Sequence, residues 1–545
     1  METVSIVLAM LVAVLFSGAL VRVLPISLPL PLVQIALGAL IAAVSERGVK
    51  LDPDMFFLLF LPPLLFLDGW RIPKEGLIRD KLGVVQLAFG LVLLTVVGLG
   101  YLIHWMIPAM PLTVAFALAA IVSPTDPVAV SAIARRTAIP KRVLLILESE
   151  SLFNDASGLV AFRFAVAATV TGSFSLTSAA GSFLWMACAG LAIGAAVTWS
   201  ITITRNWFVQ RFSEEPGSEI LLSLLAPFAA YFLAEHAQAS GILAAVAAGV
   251  TMSYAELSGK ALAATRVRRE VVWDVVQFTL TGIMFVLLGE QLPSILKGAV
   301  LVVTEAGHHD VRWLAIYPVV ICIALAAIRF FWIFLTLKTG RILRGKRRPD
   351  AAPVGIRMML VLSLAGVRGT ITLAGVMTLP LVLQDGSSFP ARDLAIFLAA
   401  MVIILSLVAA SVGLPVLLRD YRALPERRYS FQEALATQAA REAAIKSVGQ
   451  TLNKLIQSDT GQNTSLYTEV AGHILDELRT SADDMSEEES REAFNVRWAV
   501  EREMRLDAIR ASRQAVYRLA REHRISDALA REHVMRLDLH EVRLS

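Results

Sequence analysis

The chain has 545 residues, of which 56% are hydrophobic and only 18% charged, and its mean hydropathy is +0.64. That is too apolar for one water-soluble core, and repeated apolar runs of about 20 residues have the length that crosses a bilayer as helix. The formal net charge of +4 is too small over this length to support nucleic-acid binding, so the basic residues need a topological explanation.

In chain order, thirteen candidate spans are predicted: 4–23, 28–44, 53–70, 84–107, 113–135, 143–170, 182–205, 219–236, 240–255, 271–290, 314–337, 355–380 and 394–418. The first, "METVSIVLAMLVAVLFSG", lacks the charged start and the cleavage site of a signal peptide, so it is read as membrane-spanning. Cys188 and Cys322 lie inside apolar runs as small packing residues and suggest no disulfide, metal or cofactor framework. Arg71, Lys74, Arg79 and Lys81 follow span three, Arg135, Arg136, Lys141 and Arg142 follow span five, and Lys260, Arg266, Arg268 and Arg269 follow span nine. Six more, from Lys338 to Arg348, follow span eleven, whereas "HWMIPAMP", "TGSFSLTSAAGS" and "EHAQAS" hold no Lys or Arg. Cytoplasmic loops collect Lys and Arg, so the expected protein is multi-pass in the cell membrane, with its N-terminus outside and its tail in the cytoplasm. From about Asp420 the composition turns charged and alanine-rich, with apolar residues at helical spacing, which divides the chain into a membrane domain, 1–420, and a helical cytoplasmic domain, 421–545.

Depth sorts the remaining charges. At about 1.5 Å per residue, Asp126, Asp155, Arg329 and Arg368 each fall roughly 18 to 22 Å from one end of their spans, near the middle of the hydrocarbon. Glu150 lies a turn or so shallower, and Arg163 sits near the outer end of span six, where it can snorkel to the interface. Each midplane charge costs at least about 2.5 kcal/mol on insertion scales, so several together imply partners, water or a transported ion.

The midplane is also where the helices should break. In "IVSPTDPVAV", Pro124 and Pro127 remove backbone donors and disfavour helix before them, so span five is expected to unwind around Thr125. Span twelve has a matching interruption, "LSLAGVRGTITLAG", where Gly366, Gly369 and Thr370 flank Arg368. With span seven as a connector, both breaks fall in the fifth span of a six-span half. Paired interruptions point to an all-α polytopic transporter of two inverted repeats, with broken helices crossing at the midplane and the site between them. In "LESESLFNDASGLVAFRFAVA", Glu150 and Asn154 share one helix face, and Ser151 and Asp155 share its neighbour. Such hard oxygen ligands suit a small alkali cation, and one exchangeable carboxylate can hold either the cation or a proton. The blander reading is that these groups are polar glue between helices, with Glu150 and Arg368 a buried ion pair.

The segments "LLFLPPLLFLDGW", "IVSPTDPVAV", "ESESLFNDASGLV", "SGILAAVAAGV" and "AGVRGTITLA" resemble, in order and spacing, the cation/proton antiporters of the electroneutral sodium/proton exchanger type, including the bacterial sodium/proton antiporters. The resemblance covers about residues 1–420. It implies that Asp155 is the shared ion- and proton-binding carboxylate, with Ser151 and the Thr125 carbonyl as further sodium ligands. By the same resemblance Asn154 steadies the unwound segment, Asp126 lies in the crossing region, and Glu150 pairs with Arg368. Asp68 aligns with an acid that helps bind the ion in some members, and Arg329 stands where relatives carry a structural arginine. The family further implies a homodimer, alternating access and, because Asn154 replaces a second Asp of electrogenic relatives, one cation exchanged per proton. The substrates would be sodium and protons, with lithium or potassium as alternative cations. A cation channel would need a filter-like repeat, and an intramembrane aspartyl protease using Asp126 and Asp155 would need a Gly-x-Gly-Asp pattern; neither occurs.

The loop charges yield a direct test of topology. A cysteine placed in "TGSFSLTSAAGS" is expected to react with an impermeant reagent from outside, and one near Arg344 only from inside; reversal at either position would contradict the orientation.

Overall fold

The computed structural model describes residues 2–23, 28–44, 53–71, 90–126, 130, 141–171, 176–212, 215–256, 263–305, 312–344, 355–383 and 386–419, and in the tail 442, 444–457, 464–483 and a few single positions between 509 and 541. The described helices of the membrane unit are α1 (Glu2–Val23), α2 (Leu30–Val44), α3 (Pro53–Arg71), α4 (Leu91–Met106), α5 (Leu112–Ile121), α6 (Lys141–Thr171) and α7 (Leu176–Phe212). They continue as α8 (Pro216–His236), α9 (Gly241–Glu256), α10 (Ala263–Glu305), α11 (Trp313–Arg344), α12 (Ile356–Leu364), α13 (Thr370–Met377) and α14 (Arg392–Leu418). Each predicted span has a helical counterpart, with span twelve divided into α12 and α13. Helices α1, α7, α8, α10, α11 and α14 are long and apolar enough to cross a membrane alone, and α2, α4, α5, α6 and α9 add shorter apolar segments. The protein is an all-α polytopic membrane protein.

The chain separates into two compact units, Met1–Ala423 and Leu424–Ser545. In the second, residues 444–457 are helical and Thr464–Asp483 forms α15, apolar along one side.

Two groups of helices make up the first unit. In one, α10 packs along α2 and α1, while α3, α7, α8 and α9 pack on one another. Their contacts are made by small residues: Ala226, Ala230, Ala234, Ala244 and Ala248 surround Phe66, Leu67 and Trp273. Lipid tails are as apolar as side chains, so association in a membrane relies on such close van der Waals fits. The tightest is reciprocal. A Cβ on Gly38 of α2 would fall 1.9 Å from the Val286 carbonyl oxygen, and one on Gly289 of α10 would fall 1.9 Å from that of Ile35. This contact explains why α10 outruns its predicted end at residue 290: Glu290 is 5% exposed and marks a buried helix contact, not a membrane boundary.

In the other group, α4, α5 and α6 pack together, and α11 joins α4, α12 and α14. Helix α5 stops where the prolines require. Val122 N–H still reaches the Leu118 carbonyl at 3.0 Å, but Ser123 N–H tightens to Ala120 at 3.3 Å, and Pro124 has no N–H to continue the ladder. Residues 127–129 and 131–135, the remainder of predicted span five apart from Val130, lie outside the described residues, as do half of the loop cations. Cys188 is exposed on α7, against the packing role expected of it, while Cys322 is partly buried.

The Gly38–Gly289 approach makes stability testable. Gly289→Leu should destabilise the protein by at least about 1–3 kcal/mol through overpacking, lowering its melting temperature in detergent. Gly217→Leu, whose side chain enters open space, should leave the melting temperature unchanged.

Candidate functional site

The two breaks cross and bond to each other. Asp126 N–H donates to the Val367 carbonyl at 2.8 Å, and Thr370 N–H donates to Asp126 Oδ2 at 3.3 Å. Asp126 therefore belongs to the α5 break but caps the first turn of α13, where a carboxylate meets unsatisfied N–H groups and the positive end of the helix dipole. Gly369 makes the approach possible, since a Cβ there would fall 1.7 Å from Asp126 Oδ2. Arg368 N–H is accepted by Ser406 Oγ of α14 at 3.1 Å.

Helix α6 lies against the α5 break and clamps Thr125 from two positions one residue-face apart. Asn154 Oδ1 accepts the Thr125 N–H at 3.3 Å, and Asn154 Nδ2 donates to Thr125 Oγ1 at 3.2 Å. Ser151 Oγ stands 2.7 Å from the Thr125 carbonyl and 3.2 Å from Asp155 Oδ2. Thr125, Ser151, Asn154 and Asp155 are each at most 4% exposed.

A small cavity opens beside them, with about 20 Å³ of room for the centre of a water-sized particle. It has room for one water or one small dehydrated cation. Asp155, Thr125, Asp126, Thr370 and Thr372 form one wall, and Asp68 of α3 with Gln277 and Thr281 of α10 form the other. Two buried oxygens, Asp155 Oδ1 and Thr372 Oγ1, have no hydrogen-bond partner among the described residues. Unpartnered buried oxygens beside a cavity of this size suit a hard alkali cation.

Of the residues singled out from sequence, Thr125, Ser151, Asn154 and Asp155 therefore converge, and Asp68 and Asp126 share the same cavity. The expected ion pair does not form as written. Glu150 pairs with Arg329 in fork geometry, Nη1 to Oε1 and Nη2 to Oε2, both at 2.7 Å. Arg329 Nε also donates to the Leu362 carbonyl at 2.9 Å, satisfying an acceptor in the last turn of α12. Arg368 is 4% exposed, and its Nε and Nη1 have no hydrogen-bond partner among the described residues. Only Arg329, on regular helix α11, presents its planar fork to Glu150; Arg368 sits on irregular backbone already engaged by Ser406. Arg163 does more than reach for the interface, since it pairs with Glu235 of α8 at 3.2 Å. Gln277, Thr281 and Thr372 were not anticipated, because no local pattern marks them.

Comparison with known proteins follows the same lines. A family model described as "Sodium/hydrogen exchanger, transmembrane" matches residues 9–420. An Escherichia coli (strain K12) protein described as the uncharacterized Na(+)/H(+) exchanger YjcE is 39% identical over 100% of this chain and 99% of its own. A Bacillus pumilus protein described as a sodium, potassium, lithium and rubidium/H(+) antiporter is 37% identical over 98% of this chain and 76% of its own. In fold, the sodium proton antiporter MjNhaP1 from Methanocaldococcus jannaschii matches with a TM-score of 0.59 at 18% identity, covering 77% of this chain and 98% of that one.

The corrected ion pair predicts which arginine the fold needs. Arg329→Ala strands the buried Glu150 carboxylate and should cost about 3–5 kcal/mol, read as lost melting temperature and yield in detergent. Arg368→Ala leaves that pair intact and should cost clearly less; the reverse order would contradict the assignment.

Proposed function

The chain belongs to the sodium/hydrogen exchanger family and is a cation/proton antiporter, and from that premise we propose that Asp155 is the group at which cation and proton compete. The observation that carries this reading is the Thr125–Ser151–Asp155 chain of oxygens beside the cavity. Ser151 has one hydroxyl proton and two acceptors within reach. When Asp155 is protonated, its O–H donates to Ser151 Oγ, and the Ser151 proton satisfies the Thr125 carbonyl at 2.7 Å. When Asp155 is ionised, the hydroxyl turns to the carboxylate, and the Thr125 carbonyl becomes free as a ligand. A cation in the cavity then meets Asp155, the Thr125 carbonyl and Thr372 Oγ1, with Asp68 across from it. The site is thus complete in either form, and only one form at a time.

The same geometry supports the rest of the cycle. Asn154 is neutral and committed to Thr125 through two hydrogen bonds, so a single carboxylate exchanges its load. Cation-bound and proton-bound sites then carry the same charge, which makes the cycle electroneutral. Alternating access follows if the group bearing α5, α6 and α12–α14 moves against the group bearing α3 and α10, since the cavity lies between them. The homodimer, the outside N-terminus and the cytoplasmic tail belong to this same proposal, and the resemblance and the loop charges support them. The cations are sodium and, as the relative's description suggests, lithium, potassium and rubidium. The family transports ions, and Asp126 is committed to α13, so the protease alternative falls away.

Proteoliposomes carrying an internal pH dye test the reading. Cation gradients should drive proton movement without net current, and the half-saturating sodium concentration should rise as pH falls while the maximal rate is recovered at high sodium. Asp155→Asn should retain the fold and lose exchange for every cation. Sodium-driven proton movement by folded Asp155→Asn protein would overturn the assignment.

A further inference from the structure

The α3–α10 side of the cavity continues toward an exposed end. Helix α3 carries Asp68 and, one turn further toward its C-terminus, Arg71. Helix α10, which packs against α3, carries Thr281, Gln277 and Asp274 on successive turns toward its N-terminus. Asp68, Thr281 and Gln277 line the cavity. Beyond them, Arg71 Nη1 donates to Gln277 Oε1 at 2.8 Å, and Arg71 Nη2 pairs with Asp274 Oδ1 at 2.5 Å. This pair is far more exposed than Asp155 across the cavity, which is 2% exposed: the Arg71 side chain is 36% exposed and that of Asp274 60%.

A guanidinium beside the mouth of a cation cavity opposes the entry of every cation that arrives. Asp274 offsets that charge, and Gln277 holds the guanidinium at the rim, one side chain away from the cavity. So exposed a pair adds little to folding, and ordinary stability gives no reason for an arginine here. We propose that the Arg71–Asp274 pair, positioned by Gln277, is an electrostatic filter at the mouth of the ion cavity: it sets how many cations reach Asp155 from that face, without ligating them. The inference rests on the antiport reading above. The two residues act through the field at the mouth and are positioning residues, not part of the binding site.

The effect has a sign that structural damage does not share. Asp274→Asn leaves Arg71 uncompensated and should raise the half-saturating sodium concentration at that face about two- to fivefold, and Arg71→Gln should lower it by a similar factor. The double variant should return near the wild type, and maximal rates should be unchanged. Because the influence is long-range, the shifts should shrink when choline chloride is raised from about 10 to about 200 mM. The order of preference among sodium, lithium and potassium should stay as it is, since all carry one charge. The experiment uses full-length protein in oriented proteoliposomes at one alkaline pH, with cation added in turn to each face. Shifts of the same direction in both single variants, salt-insensitive shifts, an altered cation order or equal effects from both faces would overturn the filter. Active variants with unshifted half-saturation would overturn it alone, whereas a wild type that moves no protons on cation addition would overturn the antiport reading and the filter with it.

Discussion

Backbone that leaves the helical ladder inside a membrane must find partners within the protein, and here two irregular segments find them in each other. The bond from Asp126 N–H to the Val367 carbonyl, and the return bond from Thr370 N–H to Asp126 Oδ2, satisfy groups that hydrocarbon would leave bare at a cost of several kcal/mol each. Everything at the site follows from this crossing. It opens α5 at Thr125, frees a carbonyl to point sideways, and starts α13 at the cavity with Thr372 on its first turn. Gly369 is the residue that permits it, because any side chain would displace the Asp126 carboxylate.

The second constraint is charge. Glu150 and Arg329 neutralise each other and, through the Leu362 carbonyl, fix the end of α12 to α6 and α11. This bond ties the support of one break to the helix that carries Ser151, Asn154 and Asp155. On the proposed reading, Asp155 can therefore change its load while the frame around it stays paired. Asn154 serves the same end, holding Thr125 while contributing no charge.

Much of this was readable in the sequence, for identifiable reasons. Apolar runs predict helices because a bilayer leaves no alternative, and each of the thirteen has its counterpart. Pro124, with Gly366 and Gly369, places the breaks because backbone chemistry is local. Ser151 and Asp155 share a face by helical spacing alone. What escaped depends on rotation and long-range packing. Arg329 and Arg368 lie at equal depth, and only the facing of α11 toward α6 decides between them. Asp126 reads in the sequence as an acid of the crossing region, but its bond from the Thr370 N–H, 244 residues away, is invisible there. Gln277 and Thr281 lie on an ordinary stretch of α10 and gain meaning only because α3 packs there. Glu290 looks like the end of a span, since buried acids and boundary acids are alike in sequence.

The central claim is that one carboxylate holds either a proton or a cation and never both. Calorimetry of sodium binding to the purified protein, in buffers of differing ionisation enthalpy at a pH where Asp155 is protonated, counts the protons released per cation bound. The account predicts a value close to one for the wild type and no sodium binding heat for Asp155→Asn. Sodium binding that releases no proton, or release that persists in Asp155→Asn, would contradict it.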